Sequence, residues 1–481
     1  MPGLNEKYEI IVGLEVHAEL STETKIYCAC KNSFGAEVNT QCCEICTGLP
    51  GTLPTLNEKV VEYAVRMGLA ANCKINNITK QDRKNYFYPD LPKAYQISQY
   101  DVPLCQNGWL DFLVDGEERR VGITRIHIEE DAGKLLHGES FSGSLVDFNR
   151  CGVPLIEIVS EPDIRSSKEA KAYLETLKQI LVYLGVSDGK MQEGSIRCDV
   201  NVSVRLKGQE GFNNRVEMKN VNTFSGAARA IDYEAARQSA LMEAGETVGQ
   251  ETRRWDDVKG ENILLRSKEN AMDYRYFPEP DLKTIVVDDS FVSALKEGLP
   301  ELPNRKTARY MREYGLPAYD AGLLAESMDR AAFFERAAAL GLCQPKNISN
   351  WLLGDITYFL REKKMELSES AVTPEKLADM VSRLEKGEIS GAAAKIVAEA
   401  LLDSGLSAGE IISEKGLAQV SDRDALESIV DAVLADSEKA VIQYKSGKTN
   451  VLGFLVGQCM KRSKGKGNPA VLSGIIAERL K

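Results

Sequence analysis

The chain has 481 residues, 43% of them hydrophobic and 27% charged, with a formal net charge of −11. This is the balance of a globular protein of roughly two to four domains, which argues against long disorder. The acidic charge argues against uniform coating of nucleic acid while leaving room for a local basic patch. No run reaches ~18 consecutive apolar residues, as a membrane span needs. The N-terminal stretch MPGLNEKYEIIVGLEVHAEL has no basic leader and carries acids in its apolar run, so it is a poor signal peptide and the cytoplasm is the expected compartment.

Up to about residue 294 the chain reads as strands mixed with helices. Tyr8 to Leu20 alternates and is rich in Ile and Val, and Arg120 to Glu130 and Arg197 to Arg205 alternate strictly, so each predicts a strand. Helical periodicity falls at 57–72, 167–185 and 224–245. The order is not a repeating βαβ, which points to an α+β domain. After Pro300 and Pro303 the strand patterns stop. Helices are predicted through 305–402, broken at Gly315–Pro317, Gly341, Pro345, Pro374 and Gly405. From about 407 a further helical unit begins with polarised charge. Nine acids and two bases lie between Asp403 and Glu438, then nine bases and one acid from Lys439 to Lys481.

The first chemistry-bearing pattern is GLEVHAEL, where Glu15, His17 and Glu19 share one face of a strand. In RIHIEED, His127 and Glu129 share a face with Arg125, and Glu130 points the other way. Brought together, the two segments would offer carboxylates and imidazole suited to Mg²⁺ or Mn²⁺ holding a phosphate. Polar faces of solvated edge strands would give the same pattern. Glu157, Asp199 and Glu217 also sit in apolar runs, where an acid is costly unless paired or metal-bound. No GxxxxGK[ST] or GxGxxG is present, so a nucleotide site here would be neither a P-loop nor a Rossmann loop.

Eleven cysteines are an odd count in a long chain, and most are scattered. Cys28-Ala-Cys30 and Cys43-Glu-Ile-Cys46 are different: two close pairs around a loop have the spacing of a four-thiolate zinc knuckle, with Cys42 as an alternative ligand. A redox CxxC or buried free thiols remain open. The segment DRKNYFYPDLPKAYQISQYD, residues 82–101, mixes Arg83, Lys84 and Lys93 with Tyr86, Phe87, Tyr88, Tyr95 and Tyr100. Bases among aromatics suit a nucleotide or a single-stranded RNA end, and equally a core-packing loop. Arg253, Arg254 and Trp255 have the same character. The tail bases Lys461, Arg462, Lys464 and Lys466 form the best candidate phosphate-backbone footprint, with a solvated helix terminus as the alternative.

The segments YEIIVGLEVHAEL, DRKNYFYPDLPKAYQISQYD, GITRIHIEEDAGK, VDFNRCGVPLIEIVSEPDIRS, EGSIRCDVNVSVR and MDYRYFPEPDL, in that order, resemble the B subunit of the aspartyl/glutamyl-tRNA(Asn/Gln) amidotransferase. The resemblance implies an α+β cradle domain like the glutamine synthetase catalytic domain (1–294), an all-α helical domain (295–406) and a small all-α tail that binds tRNA (407–481). It implies ATP- and Mg²⁺-dependent phosphorylation of the side-chain carboxylate of Glu-tRNA(Gln) or Asp-tRNA(Asn), followed by amidation with channelled ammonia. A glutaminase A subunit, a small C subunit, the tRNA and an aminoacyl-tRNA synthetase are the implied partners. Glu15, His17, Glu129 and Glu130 take metal and ATP roles, with Glu217 as a further catalytic acid and Glu157 and Asp199 as cofactor-binding residues. Lys84, Tyr86, Arg253 and the tail bases take tRNA. Cys28, Cys30, Cys43 and Cys46 match a structural zinc pattern. A non-catalytic tRNA-binding scaffold in the same complex is the alternative.

Overall fold

Strict alternation makes the first strand. In β1 (Tyr8–Glu19), Val12, Leu14, Val16 and Ala18 are at most 1% exposed, and the intervening Glu15, His17 and Glu19 turn to the opposite face. The computed structural model describes residues 7–137, 143–267, 273–419, 423–446, 448, 450–463 and 466–480. These fall into two units, Met1–Arg305 and Lys306–Lys481.

The remaining strands of the first unit are β2 (Lys74–Ile75), β3 (Ile78–Thr79), β4 (Asp82–Asn85), β5 (Tyr95–Ser98), β6 (Cys105–Val114), β7 (Glu117–Glu130), β8 (Lys134–His137), β9 (Ser144–Asp147), β10 (Pro154–Ser160), β11 (Ile196–Leu206), β12 (Val216–Val221), β13 (Glu251–Asp256), β14 (Glu261–Ser267), β15 (Phe277–Pro278) and β16 (Ile285–Val286). Eight of them join β1 in one nine-stranded sheet, in the order β14-β13-β12-β11-β1-β10-β7-β6-β2. β1 lies in its middle, antiparallel to both β10 and β11, and β12 runs parallel to β13. The sheet is therefore mixed, as an α+β reading expects. β4 pairs with β5 and β15 in a small sheet of its own.

Three helices, Glu58–Ala70, Ser167–Tyr183 and Phe224–Glu243, pack on the apolar face of the nine-stranded sheet. Each starts where a side chain accepts an otherwise unpaired backbone N–H: Asn57 from Lys59, Ser166 from Glu169 and Thr223 from Gly226. Val60, Val65, Leu174, Leu177, Ile180 and Ile231 fill the layer between helices and strands at 0–1% exposure. At roughly 1.5–3 kcal/mol per fully buried aliphatic side chain, this layer fixes which way the sheet faces. Glu15 and His17 of β1, Glu129 of β7 and Glu157 of β10 are left on the other face.

The second unit is helical. Ala318–Ala325, Met328–Ala339, Pro345–Trp351, Thr357–Lys363, Pro374–Glu385, Gly391–Asp403 and Ala408–Glu414 surround a core that includes Phe334, Leu352, Leu377, Val397, Leu401 and Ile411. The periodic stretch ISNWLLGDITYFLREKK is not one regular helix. A π turn, Leu352–Ile356, widens it, and the Thr357 hydroxyl donates to the Leu352 carbonyl at 2.7 Å. Arg423–Asp436, Glu438–Lys445, Val451–Arg462 and Pro469–Leu480 enclose a separate small core around Leu426, Val430, Leu455, Cys459, Leu472 and Ile476.

Candidate active site

Cross-strand register assembles the polar face of the sheet. Arg197 of β11, His17 of β1, Glu157 of β10 and His127 of β7 lie side by side in one row. One level away, Glu15 stands opposite Asp199. His17 Nε2 is 3.3 Å from Glu157 Oε2, and His127 Nε2 lies 3.6 Å from the same oxygen and 3.3 Å from Glu129 Oε1. His17, Glu129 and Glu157 each present a ligand atom within 4.8 Å of the others, one imidazole nitrogen and two carboxylates, a donor set that fits a hard divalent cation. Glu157 is thus at the centre of the cluster, where the family resemblance implied a cofactor role alone.

Both acids of the cluster are held ionised. Burial alone would raise Glu157, but His127 and the His17 hydrogen bond pull its carboxyl far below the usual range. Burial would likewise raise Glu129, yet Lys84 and His127 hold it below its ordinary value against the neighbouring charge of Glu157. For His17 the order reverses: burial favours the neutral ring, but the Glu157 hydrogen bond and charge, with Glu129, lift its pKa. Ser98 Oγ donates to Glu129 Oε1 at 2.6 Å and Gln96 Nε2 to Glu129 Oε2 at 3.2 Å, so this side chain is fixed in place. Neither β5 residue stands out in the sequence.

The other expected acids take separate positions. Glu130, of opposite parity, turns away from this cluster and accepts hydrogen bonds from Lys93 Nζ and from the Ile97 backbone N–H at 3.0 Å. Glu15 accepts from Asn201 Nδ2 at 2.9 Å, and burial, then the charges of Glu157 and Asp199, raise its pKa. Lys219 bridges Asp199 at 2.7 Å and Glu217 at 2.9 Å, and Thr252 donates to Glu217 at 3.0 Å. A further group escaped the sequence reading. Arg197 donates to Asp131 at 2.5 Å, Arg150 lies 3.7 Å from Asp131, and burial with the Asp131 charge pushes Glu19 up to about 8.

An aromatic cluster lies beside these acids. Lys84 Nζ is 4.0 Å from Glu129 and 5.3 Å from the Tyr274 ring centre, Tyr86 packs edge-on against Tyr274, and Tyr100 stacks on Tyr276 at 4.3 Å. Phe87, in the same loop, is 86% exposed. Arg253 is largely occupied within the sheet, by Glu251 at 2.7 Å and the Asn262 carbonyl at 2.9 Å. In the tail, Lys461, Arg462 and Lys466 are exposed, Arg462 pairing with Asp436 at 2.6 Å, and Lys464 lies outside the described residues.

The cysteine pairs do converge. Cys46 Sγ is 3.7 Å from Cys28, 3.6 Å from Cys43 and 3.8 Å from Cys30. Tetrahedral Zn–S bonds of about 2.3 Å require sulfurs ~3.8 Å apart, so the four fit a Zn²⁺-sized ion. Cys42 points elsewhere, to the Asn39 carbonyl.

Among known proteins, residues 10–293 match the family described as the GatB/GatE catalytic domain, and residues 332–480 match the GatB domain. The B subunit of the aspartyl/glutamyl-tRNA(Asn/Gln) amidotransferase from Caldicellulosiruptor bescii is 54% identical over 477 residues, covering 98% of this chain and 99% of the relative. The proteins of the same name from Thermoanaerobacter pseudethanolicus and Geotalea uraniireducens are 54% and 51% identical, with the same coverage.

Proposed function

The chain belongs to the GatB family of amidotransferase proteins, and from that premise we propose that it converts Glu-tRNA(Gln), Asp-tRNA(Asn) or both into the amidated forms by ATP-dependent activation of the side-chain carboxylate. The observation that carries this reading is the His17–Glu129–Glu157 cluster on the polar face of the sheet. In the proposed reaction the γ-phosphoryl group of ATP passes to a carboxylate oxygen, giving an acyl phosphate and ADP. Ammonia then attacks the acyl carbon, phosphate leaves with that oxygen, and one ammonia proton ends on the phosphate.

His17, Glu129 and Glu157 would hold Mg²⁺, whose chemistry is to neutralise phosphate charge during transfer. The protein's part is positioning. Gln96, Ser98 and His127 hydrogen-bond Glu129, and His127 faces Glu157 at 3.6 Å. A cation held here would need the neutral His17 ring, with Nε2 as its donor atom. Lys84 and Arg197 flank the cluster as counter-charges for phosphate oxygens, and Glu15, Asp199 and Glu217 line the adjoining level. Tyr86, Tyr274, Tyr276 and Phe87 offer stacking surfaces for the 3′ end of the tRNA.

The wider reading follows the family. The glutamine synthetase-like cradle is 1–294, the helical domain 295–406, and the tail 407–481 contacts tRNA through its basic residues. Cys28, Cys30, Cys43 and Cys46 hold a structural Zn²⁺ beside the cradle. The complex contains A and C subunits, works with the cognate synthetase, and is cytoplasmic; ammonia comes from the glutaminase. The test is conversion of each misacylated tRNA by the reconstituted complex with ATP, Mg²⁺ and ammonia. Glu129→Ala and Glu157→Ala are expected to lose conversion. Wild-type rates in both would leave the chain a tRNA-binding scaffold.

A further inference from the structure

Lysine is almost never fully buried unless paired, because removing an ammonium from water is costly. Lys25 is 1% exposed. Its Nζ lies 3.7 Å from Cys46 Sγ, and among the described residues it has no carboxylate within ion-pair distance. Its backbone N–H donates to the Cys30 carbonyl at 2.9 Å, which ties it to a second cysteine of the set. Gly152, at φ +77°, carries the chain past both side chains, in a left-handed conformation that favours glycine.

Cys46 is the sulfur on which these contacts converge. The other three cysteines lie within 3.8 Å of it, and the Cys43 backbone N–H donates to it at 3.1 Å. Four thiolates around a divalent ion carry a formal charge of −2, which is unfavourable in a partly buried site. We propose that Lys25 is a positioning residue of this centre, its ammonium a fixed counter-charge that keeps the Cys46 thiolate on the metal and blunts its reactivity. The inference rests on the reading of the four cysteines as a metal site. The next residue is held through its backbone: Ile26 N–H donates to the Gly152 carbonyl at 2.9 Å and Gly152 N–H to the Asp131 carbonyl at 3.0 Å.

The full-length protein with Lys25→Met and Lys25→Arg tests this. Zinc content is measured by atomic absorption, and zinc release is followed with a chromogenic chelator. Partners that orient metal ligands typically contribute 10–100-fold to retention, so Lys25→Met is expected to release zinc about 10-fold faster or more, and Lys25→Arg at close to the wild-type rate. In cobalt-substituted protein, the sulfur-to-metal charge-transfer band should shift in Lys25→Met and not in Lys25→Arg. Equal release from wild type and Lys25→Met would overturn the role of Lys25, as would Lys25→Arg releasing as fast as Lys25→Met. Should Lys25→Met not fold, Lys25→Gln takes its place in the same comparison. Wild-type protein holding no zinc would instead remove the four-thiolate reading itself.

Discussion

Glu19 and Asp131 meet beside Arg197 and Arg150, with too little water around them for both acids to ionise freely. The folded Glu19 titrates near 8, above its ordinary 4.5, so the folded state keeps a proton that the unfolded chain releases. The sign follows from linkage: stability from this group is full at low pH and falls as pH rises from about 4.5 through about 8. In metal-free protein, Glu19→Gln should flatten that fall, which denaturant melts at about pH 5, 7 and 9 would register; an unchanged slope would remove the assignment. Lys84 has a different task. It offsets Glu129 on one side and faces Tyr274 on the other. Lys84→Met should weaken conversion by roughly 10²-fold, the scale of losing one placed charge at a phosphoryl-transfer site, while circular dichroism stays unchanged.

Within a strand, parity was legible; between strands, register was not. Alternation in GLEVHAEL separates Glu15, His17 and Glu19 from the apolar set Leu14, Val16 and Ala18, and the structure keeps that division. The same rule put Glu129 and Glu130 on opposite sides of β7, although the family resemblance gave both of them metal and ATP roles. What alternation cannot give is that His17 pairs with Glu157, because that depends on how β1 and β10 align across a long separation in sequence. The Asp131–Arg197 pair stayed hidden for the same reason. The four cysteines were readable because local spacing constrains them, and only geometry could exclude Cys42. Register also makes β1 sensitive on its buried side. Leu14 is 1% exposed in the middle of the sheet, so Leu14→Ala should cost about 3 kcal/mol in chemical denaturation, while a loss near zero would mean the core relaxes into the space.

Across the whole chain, the proposed function assigns chemistry and tRNA capture to different parts. The helix Ala408–Glu414 contributes Ala408, Ile411 and Ile412 to the larger helical core, and Gln419 N–H bonds back to the Glu388 carbonyl at 2.7 Å. A truncation that spares this core therefore ends after Gln419. It should weaken tRNA binding and its salt dependence while ATP-dependent chemistry survives at saturating tRNA; unchanged affinity would remove the tail from the tRNA interface. The central claim concerns the sheet face, and Glu157 is the acid shared by both histidines. The most direct measurement is the rate of Glu-tRNA amidation by the assembled complex with ATP, Mg²⁺ and ammonium in place of glutamine, comparing wild type with Glu157→Gln. The expected result is a loss of about 10²-fold or more with tRNA affinity intact. A wild-type rate would contradict the claim.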